Sequence, residues 1–138
     1  MDRRYKSFFL GENRRAMCEI FSKLIEAIRS DCYDVLPEIC TTDCQADVST
    51  VGHLSGINEI QDRLSWPGPH TGISKASIWN FVARSDKQKG QQLAYVQFIR
   101  AVDDGEEIHP FLYGGEFINS FVFVDGQWKI SHIRFDLC

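Results

Sequence analysis

Three polar side chains near the end of the chain have the chemical types and the spacing to bind and activate a small organic molecule. Asn119, His132 and Arg134 lie in two β-rich runs on either side of Asp125-Gly126. An imidazole can transfer a proton near neutral pH, whereas a guanidinium and an amide can donate hydrogen bonds to an anionic oxygen. We therefore consider His132 and Arg134 candidate catalytic residues and Asn119 a candidate ligand contact.

A β-hairpin is the element that would bring these side chains onto one face. A type I′ turn needs positive φ at both central residues, which makes Asp125-Gly126 a strong hairpin signal. If these two residues form the loop, four cross-strand pairs share one face: Phe123/Trp128, Phe121/Ile130, Asn119/His132 and Phe117/Arg134. That face is apolar near the turn and polar farther away, which is typical of a pocket floor. Its candidate apolar ligand contacts are Phe117, Phe121 and Trp128.

A structural interpretation of the same polar residues stays open. In it, the imidazole is buried and satisfied by Asn119, and the guanidinium pairs with an acidic neighbour. The candidates for that neighbour are Asp47, Glu116 and Asp136. Tyr95 and Tyr113, on neighbouring strands, are candidate ligand contacts that would supply a phenol, although such tyrosines are more often core residues with the hydroxyl at the rim.

The first half of the chain predicts mainly helices. Apolar residues at three- and four-residue spacings predict a helix over residues 13–30, capped by Asn13, and we interpret residues 1–12 as an N-terminal tail. Shorter helices are expected within residues 31–40 and 55–64.

The second half predicts long strands. Residues 73–84 and 91–102 precede the hairpin, and because the connections are short, neighbouring strands should be antiparallel. His109-Pro110 removes a ladder donor and Gly114-Gly115 predicts a bulge, so the sheet should bend there. This order indicates one α+β domain over residues 13–138, in which a curved antiparallel sheet wraps on the N-terminal helices and forms a cone with an internal pocket.

The composition excludes several functional classes. A net charge of −4 leaves no basic surface for nucleic acid. No apolar run reaches the length of a membrane span or a signal-peptide core, so we expect a cytoplasmic protein with no membrane partner. Cys32, Cys40 and Cys44 lack the paired spacing of structural zinc sites. Buried small hydrophobes are the favoured interpretation of these cysteines, and we expect neither a metal nor another cofactor.

The chain resembles the SnoaL-like group of the nuclear transport factor 2-like superfamily over roughly residues 13–137. The residues that carry the resemblance are the helix start Gly56-Ile57 with Ile60, His70 before the first long strand, Gly114-Gly115, and the run Asp125-Gly126-Gln127-Trp128-Lys129-Ile130. The resemblance implies a cone-shaped fold with a deep pocket, commonly in a dimer. Polyketide cyclases, ketosteroid isomerases, dehydratases and non-enzymatic assembly modules all share this fold, so the fold leaves the function open.

The resemblance also implies where a catalytic site would lie. Dehydratase-like members carry out cofactor-free proton chemistry with a Tyr and an Asp on the first helix and a His at the start of the strand that follows the helices. His70 falls at the position of that His and is a further candidate catalytic residue, although a loop histidine bonded to the backbone is an equal alternative. Leu24 and Arg29 occupy the positions of the Tyr and the Asp. Leu24 is retained as a candidate ligand contact, and the helix dyad is expected to be absent.

The sequence thus supports two hypotheses for a cone-fold protein that binds a small, largely apolar organic molecule and forms a homodimer. In the first, the protein is a cofactor-free dehydratase, isomerase or cyclase. His70 or His132 moves a proton, while Arg134, Asn119 and a tyrosine stabilise an oxyanion. In the second, it is a non-catalytic ligand-binding or dimeric interaction module, which the missing helix dyad favours.

Overall fold

The computed structural model describes residues 3–64 and 74–138, which form an α+β fold as predicted. The helices in these parts of the chain are α1 (Arg3–Ser30), α2 (Leu36–Ile39) and α3 (Ile57–Arg63). The strands are β1 (Cys40–Val48), β2 (Gly52–Ser55), β3 (Ser74–Ser85), β4 (Lys89–Asp103), β5 (Ile108–Val124) and β6 (Gln127–Leu137). No helix in the described ranges is both long enough and apolar enough to cross a membrane.

The six strands form one curved, unclosed sheet in the order β2-β1-β6-β5-β4-β3. Strands β3 to β6 form an antiparallel meander, as their short connections require. The exception to the predicted antiparallel arrangement is β1, which runs parallel to β6 and antiparallel to β2. The long excursion through β2, α3 and the meander between β1 and β6 provides the crossover that a parallel pair needs.

Alternation along β4 divides the sheet into an inner and an outer face. Gln92, Ala94, Val96, Phe98 and Arg100 point inward and are at most 3% exposed. Helix α1 lies on the inner side and adds Met17, Phe21, Leu24 and Ile28 to the same core. Because apolar residues recur on one side of α1 at three- and four-residue spacings, its burial on the sheet follows directly from the sequence.

Helix α1 begins ten residues before the predicted start. Asn13, the predicted cap, lies within the helix, where its Nδ2 donates to Ser85 Oγ over 3.1 Å. Its Oδ1 accepts a hydrogen bond of 3.4 Å from Trp128 Nε1. A side chain that ties the helix to two strands satisfies polar groups between them, which the local cap pattern did not indicate.

The two ends of the inner face hold different connections between strands. The hairpin end holds the β3–β4 connection and the Asp125-Gly126 turn, which lie together because the Phe123 amide donates to the Gln88 carbonyl over 2.8 Å. The distal end holds the β4–β5 connection around Gly105. Gln92 and Arg100 belong to opposite ends, since eight residues of strand separate them by about 26 Å.

The Asp125-Gly126 turn is confirmed, with φ of 52° and 76° at its two residues. The predicted register holds through Val124/Gln127, Phe123/Trp128 and Phe121/Ile130. Beyond them it is wrong, because Ser131 is an extra residue in β6 and Ser120 pairs with His132. Asn119 then pairs with Ile133, and Phe117 with Phe135. Since strand side chains alternate between faces, one inserted residue reverses the face of every later residue in β6.

The predicted bulge at Gly114-Gly115 is also wrong. β5 pairs with β4 without a shift from Ile108 to Val122, and with β6 from Gly115 to Ser120. The two glycines are needed for close packing instead. A Cβ at Gly114 would lie 2.6 Å from the Tyr95 hydroxyl, and one at Gly115 would lie 2.7 Å from the Phe135 ring.

Candidate functional site

The shifted register places His132 and Arg134 on the outer face of the sheet, away from Asn119. His132 Nε2 lies 2.6 Å from Asp47 Oδ2, and Arg134 Nε lies 3.2 Å from Asp136 Oδ2. The Arg134 side chain is 54% exposed. Asp136 is one of the partners that the structural interpretation named for Arg134, whereas the predicted contact of His132 with Asn119 is wrong, because Asn119 bonds to Gln92. The geometry gives neither His132 nor Arg134 a place on the inner face.

Asp47 links His132 to a second histidine on the outer face. His53 Nδ1 lies 2.7 Å from Asp47 Oδ1, because His53 on β2 is the cross-strand partner of Asp47 on β1. The hydrogen bonds from His132 and from His53 hold the pKa of the Asp47 carboxyl below its usual range. All three side chains are at least one-third exposed, which identifies a surface network.

The other predicted ligand contacts divide between the two faces. Tyr95 alternates with the buried Ala94 and Val96 and lies over Gly114 on the outer face. Tyr113 points inward and is 8% exposed. Predicted contacts that are part of the packed core are Leu24, Phe117, Phe121 and Trp128, together with Asn119. His70 lies outside the described residues.

At the hairpin end, the aromatic side chains pack against one another and against α1. Phe21 meets Phe117 edge-on at a centroid distance of 5.4 Å, and Phe117 contacts Phe135 at 4.7 Å. The polar groups here are Asn119 and Gln92, whose side chains bond to each other with Asn119 Nδ2 donating to Gln92 Oε1 over 2.8 Å. The pair leaves one donor, Gln92 Nε2, and one acceptor, Asn119 Oδ1, without a partner in the described part of the chain.

At the distal end, the inner face carries a charge. Arg100 is only 3% exposed, and among the described residues its Nε has no hydrogen-bond partner and no carboxylate forms an ion pair with it. The sequence analysis did not identify Arg100. The alternation of β4 could have indicated it, because Arg100 lies eight residues after Gln92 and therefore on the same face of the strand.

Tyr113 lies beside Arg100 in this region. Its ring stacks on Phe98 at a centroid distance of 4.9 Å and contacts Phe111 at 5.9 Å. Burial raises the pKa of the Tyr113 phenol, an effect that the neighbouring Arg100 guanidinium opposes and the Asp31 carboxylate supports. The hydroxyl therefore keeps its proton at neutral pH, and its contact with the Arg100 guanidinium does not reach hydrogen-bond geometry. It is available as a donor.

Asp31 brings a carboxylate to the same end. Helix α1 ends at Ser30, and Asp31 has a φ of 53°, so its side chain does not follow the phase of the helix. In a continuous helix, Asp31 would point to a different face from Arg29, the position where the family resemblance places the acidic residue. The helix end removes that restriction, and the charge of Asp31 acts on Tyr113.

Two surface grooves also occur in the described part of the chain. One of about 580 Å³ lies at the hairpin ends of β3 to β6 and is lined by Arg84, Lys89 and Ser120 among others. Another of about 520 Å³ lies beside the C-terminal half of α1, near Glu26 and Cys32. Of the predicted site residues they contain only Phe121, and neither contains Arg100 or Tyr113.

Cys32, Cys40 and Cys44 differ in their exposure to solvent. Cys40 and Cys44 are buried neighbours, whereas Cys32 is exposed beside the Asp34 carboxylate. The contact with Cys44 and burial raise the pKa of the Cys40 thiol, which therefore stays protonated.

The SnoaL-like domain model matches residues 12–134. This chain belongs to the SnoaL-like domain family. No curated protein sequence matches it.

Solved structures with the same fold include several named proteins. A hexachlorocyclohexane dehydrochlorinase (LinA, type 2) has a TM-score of 0.72 at 18% identity, covering 91% of this chain and 85% of that one. A putative scytalone dehydratase from Novosphingobium aromaticivorans has a TM-score of 0.73 at 16% identity, covering 90% and 83%. The association domain of CaMKII from C. elegans has a TM-score of 0.70 at 12% identity, covering 91% and 96%. At these identities the similarity establishes the SnoaL-like fold of the chain.

Proposed function

We propose that this SnoaL-like chain binds a small organic molecule at the distal end of the inner face and converts it without a cofactor, as a lyase or isomerase. The observation that carries the proposal is the burial of Arg100 beside Tyr113, with the Arg100 Nε and the Tyr113 hydroxyl lacking hydrogen-bond partners among the described residues. Buried polar atoms are normally satisfied, so a ligand is the expected source of the missing partner. The rings of Phe98 and Phe111 would contact its apolar part.

In this proposal, Asp31 is the general base. Its carboxylate removes a proton from a carbon beside a carbonyl or carboxyl group, and the electron pair moves onto the oxygen held by Arg100 and Tyr113. A lyase then expels a leaving group from the adjacent carbon, and an isomerase returns the proton to a different carbon. His70, which lies outside the described residues, stays the alternative base that the family resemblance implies.

The related structures support this class of reaction. The dehydrochlorinase and the putative scytalone dehydratase are named for eliminations that remove hydrogen chloride and water. Proton abstraction beside an electron-withdrawing group followed by loss of a leaving group needs no cofactor if a base and a stabiliser of the developing charge are in place. The distal end offers one carboxylate and two donors for these tasks.

A panel of β-hydroxy and β-chloro carbonyl compounds tests the proposal, with the conjugated product followed by its ultraviolet absorbance. We expect Asp31→Asn to reduce turnover about 100-fold or more, because a general base contributes that much. Asp34→Asn is the matched control, since Asp34 is an exposed carboxylate three residues away whose contact is the Cys32 thiol. Equal turnover by Asp31→Asn and the wild type would remove Asp31 as the base.

A non-catalytic binding protein is the second candidate, and the replacement of the family's helix dyad by Leu24 and Arg29 favours it. Leu24 is fully buried, and Arg29 pairs with Glu26 on the surface of α1. The same compounds distinguish the two candidates. Saturable binding that stabilises the protein without any product would support a binding protein and contradict an enzyme acting on those compounds.

We also propose a homodimer formed through the outer face of the sheet. Apolar cross-strand neighbours there are exposed, namely the pairs Val82/Leu93 and Ile99/Leu112, with Trp79 beside Tyr95. Contiguous exposed apolar surface on a sheet favours association. Sedimentation at micromolar concentration should give a dimer for the wild type and a monomer for Leu112→Glu. Thr50→Glu, in an exposed turn, is the control that should stay dimeric, and a monomeric wild type would contradict the proposal.

A further inference from the structure

The charge balance around Arg100 carries information about the ligand beyond its size. Several surface cations of the described chain have carboxylate partners, namely Lys23 with Glu38, Arg63 with Glu59, and Arg134 with Asp136. Arg100 differs from these cations, because it is only 3% exposed and no described carboxylate forms an ion pair with it, although the Asp31 carboxylate lies at the same end. Removing a charge from water costs several kcal/mol unless an opposite charge compensates it.

The group that compensates Arg100 must accept hydrogen bonds. A guanidinium carries donors and no acceptor, and the Tyr113 phenol retains its proton because burial raises its pKa. Two adjacent donors favour an oxygen anion and disfavour an ammonium group or any other donor. The planar fork of a guanidinium matches the two oxygens of a carboxylate better than a single oxygen.

The aromatic surroundings indicate the shape of the rest of the ligand. Phe98 and Tyr113 lie nearly parallel, with an angle of 17° between their planes, and Phe111 lies on the other side of Tyr113 along β5. Side chains that are flat and apolar beside a charged group form a suitable surface for a cyclic hydrocarbon body attached to an anionic head.

We propose that the ligand of the distal end is a monocarboxylate with a flat hydrophobic body, whose carboxylate binds the Arg100 guanidinium and accepts a second hydrogen bond from the Tyr113 hydroxyl. This rests on the proposed function, because it names the class of molecule bound at the same site. It also adds a distinct requirement. An oxyanion that forms only in a transition state would be stabilised without tight binding of the ground state, whereas a carboxylate binds Arg100 before any reaction.

Matched ligands test the charge requirement directly. The probes are 2-naphthoate, 2-naphthamide, 2-naphthylmethylamine and 2-naphthyl phosphate, which share a ring system and differ in the polar group. Titration calorimetry on the full chain should show that 2-naphthoate binds about tenfold or more tightly than 2-naphthamide, since a charge-assisted hydrogen bond is worth at least that ratio. The amine should bind more weakly than the amide.

Arg100→Met removes the charge while keeping a long apolar side chain. We expect it to lose the preference for 2-naphthoate over 2-naphthamide and to unfold at the same or a higher temperature than the wild type, because an uncompensated buried charge is removed. Arg134→Met is the matched control, since Arg134 is half-exposed on the outer face and should not affect the preference. If the melting temperature of Arg100→Met is at least that of the wild type, the variant is folded and its loss of binding does not result from unfolding.

The outcomes separate this inference from the proposed function. Equal affinity for the naphthoate and the amide, both weakened by Tyr113→Phe, would overturn the carboxylate requirement and leave the ligand site in place. A preference for the phosphate would also overturn it. If none of the four compounds binds, both the carboxylate class and the site for flat organic molecules are rejected. An unchanged naphthoate affinity in Arg100→Met would overturn the role of Arg100 alone.

Discussion

The hairpin end and the distal end of the inner face are built by the same two strands, yet they treat buried polar groups differently. At the hairpin end, Asn119 and Gln92 are neutral and bond to each other over 2.8 Å beneath α1. At the distal end, Arg100 is charged and lies beside the Tyr113 phenol, which does not compensate its charge. Burying a neutral amide pair costs far less than burying a charge, so only the distal end has a strong physical requirement for an additional partner.

The comparison shows that burial and residue type alone do not identify a binding site. Asn119 and Arg100 are both nearly inaccessible and both lie on the inner face. What separates them is charge: the Asn119 amide is neutral and bonds to Gln92, whereas the Arg100 guanidinium is charged and no described carboxylate forms an ion pair with it. By this criterion, the hairpin end functions as the packed core and the distal end as the candidate site.

The largest effect is expected from truncating an aromatic side chain at the hairpin end. Phe121→Ala should reduce the free energy of unfolding by about 3–5 kcal/mol, because it leaves a cavity in the packed core. Chemical denaturation measures the change, with the exposed Phe123→Ala as control, since Phe123 is 43% exposed. A loss below 1 kcal/mol would mean that the hairpin end is not packed and would weaken the contrast between the two ends.

A smaller effect is expected from breaking the amide pair. Asn119→Leu should cost about 1–3 kcal/mol because Gln92 is left buried without its partner. The double replacement Gln92→Leu with Asn119→Leu should cost less than the sum of the two single changes, since both polar groups are then removed. Additive losses in urea denaturation would contradict the direct pairing of the two side chains.

At the distal end, Tyr113→Phe should change the stability by about 1 kcal/mol or less at neutral pH and weaken ligand binding. Its pH dependence has a definite sign. Because the folded-state pKa of Tyr113 is raised, its contribution to stability is present below the unfolded-state pKa of about 10 and is lost as the pH rises through the folded-state value. Thermal melts should therefore show the wild type losing stability relative to Tyr113→Phe above about pH 10, and parallel curves would refute the shift.

The smallest effect is expected on the outer face. Asp47→Asn should reduce stability by well under 1 kcal/mol, because its bonds to His132 and His53 are exposed to solvent. Since the pKa of Asp47 is lowered, its contribution is present above the unfolded-state value and is lost as the pH falls through the folded-state value. Ligand affinity should not change. Loss of ligand binding in Asp47→Asn without loss of stability would return His132, the partner of Asp47, to the candidate site.

Much of the fold follows from local patterns in the sequence. The 3.6-residue periodicity of α1, the antiparallel meander and the positive φ of Asp125 and Gly126 are each determined by neighbouring residues, so each could be predicted. The cross-strand pairs from Val124/Gln127 to Phe121/Ile130 were correct for the same reason, since a two-residue turn fixes the register beside it.

The candidate site depended on features that no local pattern specifies. The extra residue at Ser131, whose Oγ bonds to the Ser120 carbonyl over 3.3 Å, moved His132 and Arg134 outward and brought Ile133 and Phe135 inward. A bulge of this kind is selected by the fit of the whole sheet on α1, because Phe135 must fit over the Cβ-less Gly115. The predicted placement of His132 and Arg134 therefore failed although the turn was correct.

The sequence by itself determined the α+β class, the order of the elements, the apolar inner surface of α1 and the turn of the final hairpin, because these depend on residues close together in the chain. Only the tertiary structure decided which polar side chains lie together. Arg100 lies on β4, Tyr113 on β5 and Asp31 directly after α1, so their proximity depends on strand register and on where α1 ends. These long-range conditions place a charge, a phenol and a carboxylate at the distal end.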